Sequence, residues 1–168
     1  MTMSMYQASA PLLKRALKNL SVILDKAATH AAAKKIDPAV LAGDRLAPDM
    51  LPFPRQITIP CDTAKFAMAR LAGVEAPKFE DNEKTFDEFK ARIQKTIDFI
   101  DSIKPSQVDG TEEKPISFKA GQTELKFTGQ SYLTNFVIPN FFFHVSMAYA
   151  ILRHNGVEIG KLDFLGRE

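Results

Sequence analysis

The stretch GQSYLTNFVIPNFFFHVSMAYAILRHNG, residues 129–156, decides the fold. It is the most apolar segment of the chain. Phe141, Phe142 and Phe143 run directly into His144. Asn140 and His144 stand four apart, so on a helix they share one face. Arg153 puts a cation in the last turn, and Gly156 suits the stop that follows. The stretch reads as the closing helix of a bundle, with Asn140 and His144 turned toward the site that the bundle holds. A spanning helix needs about 20 predominantly apolar residues. Here Gln130, Asn135, Asn140 and His144 interrupt the run, which favours a buried helix over a membrane span.

Working outward, residues 106–128 carry a different period. Ile116, Phe118, Leu125 and Phe127 alternate with Ser117, Lys119, Lys126 and Thr128, around Ala120-Gly121-Gln122. That pattern predicts a small hairpin before the closing helix. A lone hairpin is marginal in water, so it should lie on the helices. Upstream, Thr85 and Glu88 have capping-box spacing. Phe86, Phe89, Ile93, Ile97 and Ile100 then form a helical stripe to Ile103, and Pro105 ends it. Lys90, Arg92, Lys95 and Asp98 fall on the face assigned to solvent.

Another helix is expected from about Pro54 to Ala72, with Ile57, Cys61, Ala64, Met68 and Leu71 inward and Gly73 as its stop. Residues 4–30 read as the first long helix, with Pro11 starting or bending it. Asp37-Pro38 caps a short turn to Gly43. Leu46 to Phe53, with Pro48 and Pro52, reads as loop. The tail from Val157 is too apolar to stay in water; it packs back on the protein or against a second copy. The fold expected is all-α: four long helices and a small β-hairpin between helices three and four, in one domain over 1–168.

Composition narrows the function. A net charge of +2 is too small to argue for nucleic acid or a membrane surface as partner. The lone Cys61 forms no internal disulfide, and the N-terminus lacks a secretory pattern; both favour a cytoplasmic protein. Glycine-rich phosphate loops, GxSxG elbows and CxxC pairs are absent from the sequence. Pro60 precedes Cys61-Asp62 and Pro139 precedes Asn140. An interior proline removes one backbone bond. Two kinked helices facing each other would therefore enclose a polar pocket, with Cys61, Tyr132, Phe143 and Tyr149 as candidate lining. The competing reading is that each helix begins at its proline.

Two blocks carry a family likeness: PNFFFHVSMAYAILRHNGVEIGKLDFLG and FPRQITIPCDTAKFAMARLAG. They resemble an uncharacterised bacterial family of domain-of-unknown-function type, which is similar to the DinB/YfiT-like superfamily of four-helix bundles. The likeness covers nearly the whole chain. In that superfamily a histidine on helix two and an HxxxH pair on helix four bind a divalent metal. His144 stands nine residues before Arg153, as the second histidine of that pair does before its Leu-Arg step. The first then falls on Asn140, and the helix-two ligand falls near Cys61 or, better, on Asp62.

The likeness thus implies Asp62, Asn140 and His144 as ligands of one divalent metal (Ni, Zn or Mn). A mixed oxygen and nitrogen set suits zinc less well than three imidazoles. Three readings stand open. One is a degenerate metal-dependent transferase- or hydrolase-like enzyme acting on a small molecule in a mid-bundle pocket. A second is a non-enzymatic protein binding a small ligand against Phe141 to Phe143. The third is an interaction protein whose tail makes a homodimer.

Overall fold

Helix α1 (Met5–Lys34) begins where its cap dictates. The Ser4 side chain accepts from Gln7 N–H, and the Gln7 side chain accepts from Ser4 N–H. This box satisfies two donors that a helix start leaves open. Pro11 neither begins nor ends the helix; it sits on the exposed side within it. The carbonyl it leaves without a donor is that of Gln7, also exposed and hydrated at little cost. The buried stripe Leu13, Leu17, Leu20, Leu24, Ala27 and Ala31 carries α1 one turn beyond its expected end. The structure, a computed structural model, describes residues 3–166.

Asp37 caps the short α2 (Pro38–Gly43) through Ala39 N–H. Helix α3 (Phe53–Ala72) is the most enclosed element: 13 of its 20 residues are buried. Gln56, Thr58, Thr63 and Lys65 are among them, so α3 must find polar partners inside the fold. Pro60 lies within α3, and Gly73 (φ 72°) closes it in the left-handed conformation. Helix α4 (Phe86–Ser102) starts at the predicted Thr85–Glu88 box. One residue expected on its solvated face is not there: Arg92 is only 2% exposed. The connection from residue 74 to 84 folds over that face and covers it.

α3 packs between α4 and α7, and α1 packs against both of those helices opposite α3. A one-turn α5 (Pro105–Val108), not foreseen from sequence, leads into the hairpin. Strands β1 (Pro115–Ala120) and β2 (Thr123–Thr128) pair antiparallel with Ile116 opposite Phe127 and Phe118 opposite Leu125. The rings of Phe118 and Phe127 lie 5.5 and 5.8 Å from that of Tyr132, and both contact Phe136. These aromatic contacts seat the hairpin on the helices.

The closing helix is continuous but not uniform. It runs as α6 (Gly129–Tyr132), a π-helical turn (Leu133–Val137) and α7 (Ile138–His154). Ile138 N–H reaches the Leu133 carbonyl, five residues back. The π turn ends two residues before Pro139, which cannot donate; widening the spacing there accommodates the missing bond. Neither Pro60 nor Pro139 starts its helix from coil. By length and composition Gly129–His154 could cross a membrane. Here Phe141, Val145, Ala148, Ile151 and Leu152 are buried in the common core.

The tail forms a short α8 (Lys161–Leu165) and lies back on α1. Asn19 donates to the Phe164 carbonyl at 3.1 Å and Arg15 to that of Leu165 at 3.2 Å. Val157 and Ile159 are buried, whereas Leu162 and Leu165 stay exposed. Arg167 and Glu168 lie outside the described residues.

Gly129 is the tightest joint. A Cβ there would stand 1.9 Å from the Thr111 carbonyl oxygen, which is backbone and has little freedom to yield. Gly129→Ala should cost at least about 1–3 kcal/mol in urea unfolding, the range for overpacked sites. A change within about 0.5 kcal/mol, typical of ordinary surface positions, would mean that the loop at Thr111 is not held against the start of the closing helix as described.

Candidate functional site

Gln56, Thr63 and Arg70 recur at seven-residue spacing on α3, so one face presents all three to the closing helix. Each meets one polar partner there. His144 Nδ1 lies 2.8 Å from Gln56 Oε1, Asn140 Nδ2 donates to Thr63 Oγ1 at 2.9 Å, and Arg70 Nη1 donates to Tyr132 Oη at 2.6 Å. The partners descend as α3 ascends, which makes the two helices antiparallel.

The His144 contact has a defined direction. Gln56 Nε2 donates to the Leu51 carbonyl at 2.8 Å, and a carbonyl can only accept. The amide oxygen must therefore face the ring, and His144 Nδ1 must carry the proton. His144 Nε2 is left with its lone pair and has no partner among the described residues. Burial, and then the nearby charge of Arg55, hold the imidazole below its ordinary pKa of 6.5. At neutral pH the ring is uncharged and Nε2 is an acceptor or a base.

Asp62 looks elsewhere. Its carboxylate pairs with Arg92 Nη2 at 3.0 Å and with Lys65 Nζ at 2.8 Å, toward α4 and not toward α7. Its neighbour Thr63 is the residue that faces Asn140. No hydrogen bond joins Asp62, Asn140 and His144 to one another. Among the described residues no three His, Cys, Asp or Glu side chains cluster where they could share an ion.

The four candidate lining residues point in different directions. Cys61 is fully buried; burial pushes its thiol up to about 12, so no thiolate forms near neutrality. Tyr132 lies under the hairpin, and burial raises its phenol. Tyr149 Oη reaches the Ile159 carbonyl at 3.4 Å and its ring meets Phe164, toward the tail. Phe143 is 51% exposed on the outer side of α7.

Sequence reasoning missed a second constellation. Arg92 is gripped by Asp62, Asp81 at 2.9 Å and Glu83 at 3.0 Å, and it also donates to the Glu80 carbonyl. Arg55 pairs with Asp81 as well. The Phe79 ring lies under both Lys65 Nζ, at 4.2 Å, and the Arg92 guanidinium, at 5.3 Å. The network clamps residues 79–83 onto α3 and α4. Its only sequence signal is the acid-rich run Glu80-Asp81-Asn82-Glu83, which by itself reads as solvated loop.

With the geometry established, relatives can be compared. The model of a family described as Domain of unknown function (DUF1993) matches residues 5–165. The chain belongs to that family. This DUF1993 chain is also 38% identical to a DinB family member protein from Shewanella denitrificans, known from its crystal structure. The superposition has a TM-score of 0.87 and covers 97% of this chain and 92% of that one. No curated protein matches it. The DUF1993 fold is thus DinB-like: mostly helical, with a two-stranded hairpin inserted.

Arg92 and its acids give a measurable acid response. Burial pushes the Asp81 carboxyl up, but the Arg55 bond and the Arg92 charge outweigh this and hold it low. A depressed carboxylate stabilises the fold above its unfolded pKa, about 3.8, and loses that contribution as pH falls through the lower folded value. Arg92→Met should cost about 3–5 kcal/mol at pH 7, because Glu83 is stranded in a buried position. It should also flatten the decline in stability below pH 4. Adding Glu83→Leu should recover at least half of the loss. If the double variant is no better than the single, the buried pair is not the source.

Proposed function

We propose that this protein is a four-helix bundle of DinB type, formed by α1, α3, α4 and the Gly129–His154 helix, that binds a small ligand without chemistry of its own and without a metal. The carrying observation is the hydrogen bond between His144 and Gln56. It presents Nε2, unprotonated, to a ligand that donates an N–H or O–H. The exposed Phe143 ring beside it offers an apolar contact. The three positions that match the metal ligands of the superfamily do not fit an ion together. Asp62 is neutralised by two cations, Asn140 is bonded to Thr63, and only His144 keeps a free donor atom. A cytoplasmic location belongs to this reading, since Cys61 has no cysteine partner.

One observation favours the competing metal-dependent reading. A metal-binding histidine commonly donates its other ring N–H to an oxygen, as His144 does to Gln56. Both readings can be put to one test. The metal-stripped protein is melted with and without excess Zn, Ni or Mn, and the purified protein is assayed for bound metal. A site filled at 100 times its Kd would stabilise the fold by roughly 2.7 kcal/mol. For a chain of this size that is a shift of several degrees, at about 2–4 °C per kcal/mol. We expect a shift under about 1 °C, the same in His144→Ala, and metal far below one per chain. A shift of several degrees that His144→Ala abolishes would restore the metal reading.

A further inference from the structure

Arg70, in the last turn of α3, is a half-buried cation without a carboxylate. Its guanidinium carbon lies 4.0 Å over the Phe118 ring and 5.0 Å over that of Phe66, and Nη1 bonds Tyr132. Among the described residues no Asp or Glu pairs with it. Lys65 Nζ lies 4.6 Å from the centre of the same Phe66 ring. Two cations therefore flank one ring. Asp62 offsets Lys65, and nothing offsets Arg70. A guanidinium carries five N–H donors in a planar fork, and only one of them is used here.

The arginine opens into a cleft of about 740 Å³ between the outer face of α3 and residues 74–81. Phe66, Ala69, Val74, Pro77 and Phe79 supply its apolar walls. Of the acids along it, Asp62 and Asp81 are ion-paired and Glu80 accepts from Asn82. Glu75 and Lys78 lie on the exposed rim with opposite signs. Among the described residues Arg70 is the half-buried cation of the cleft without a carboxylate partner, oriented by two rings and a phenol, and Glu80, its carboxylate hydrogen-bonded only to the neutral Asn82, keeps its negative charge. That arrangement suits a bidentate monoanion. A phosphate dianion would bring a second negative charge into a cleft that already holds the Glu80 carboxylate.

We propose that this cleft binds a small organic carboxylate with a flat apolar body. The carboxylate sits on the free edge of Arg70 and the body lies along Phe66 and Phe79. The site is distinct from the one at His144. Arg70 stands fourteen residues beyond Gln56, about 21 Å along α3 at 1.5 Å per residue.

Isothermal titration with benzoate, benzamide and inorganic phosphate at pH 7 tests the proposal. Benzoate should bind at about 10 mM or tighter, with benzamide and phosphate at least about tenfold weaker. Arg70→Gln should weaken benzoate at least about tenfold, and Arg70→Lys by less, since it keeps the charge without the fork. Phe66→Leu alters an exposed ring without touching the core and should weaken benzoate about threefold. Equal binding of benzoate and benzamide, tighter binding of phosphate, or no heat with benzoate would overturn the proposal. So would an Arg70→Gln protein that melts like the parent and binds benzoate as well.

Discussion

The register of α3 against the closing helix is the constraint on which the rest of this structure depends. Gln56, Thr63 and Arg70 each find one polar partner across that seam: His144, Asn140 and Tyr132. A slide of one turn would strand buried polar groups, each costing about 1–3 kcal/mol. Apolar packing alone tolerates small slips; three bonds at seven-residue intervals do not. The seam also governs the chemistry available. Because Gln56 must offer its oxygen to the ring, His144 keeps one defined tautomer, and because Thr63 takes Asn140, the amide is not free to follow the imidazole.

Pro139 sits in the same helix. In a regular α-helix it would leave one carbonyl without a donor and crowd the turn before it. The π turn at Leu133–Val137 spreads that mismatch over a short segment and lets Gly129–His154 continue as one helix. Tyr132 precedes the π turn and Asn140 follows it, so the widened turn lies between two of the three seam contacts. A family match over residues 5–165 and a 38% identical DinB-type structure place the architecture beyond this one chain.

Much of the architecture was legible in the residues. The Thr85–Glu88 box, the Gly73 stop and the alternation around Gly121 rest on local physics and stand where expected. The seven-residue recurrence of Gln56, Thr63 and Arg70 was present in the sequence too. It was hidden because polar residues on an apolar helix read as exposed unless their partners are known. Arg92 was misread for a related reason. Helical periodicity places it beside Lys95 on the solvated side, and only the tertiary fold of residues 74–84 brings Asp81 and Glu83 onto it. Asp62 shows the limit of carrying ligands over by position. One residue of offset on a helix is a rotation of 100°, enough to turn a carboxylate from α7 to α4. α8 was too short for its periodicity to stand out from the apolar tail.

The central claim is that His144 is a neutral ring with Nδ1 protonated toward Gln56 and an unshared lone pair on Nε2. Long-range proton–nitrogen correlation of the His144 ring, followed through a pH titration, measures this directly. The account predicts a protonated Nδ1 and a lone pair on Nε2 at pH 7, with a midpoint below 6.5. A ring protonated at Nε2, or a midpoint above 6.5, would contradict it.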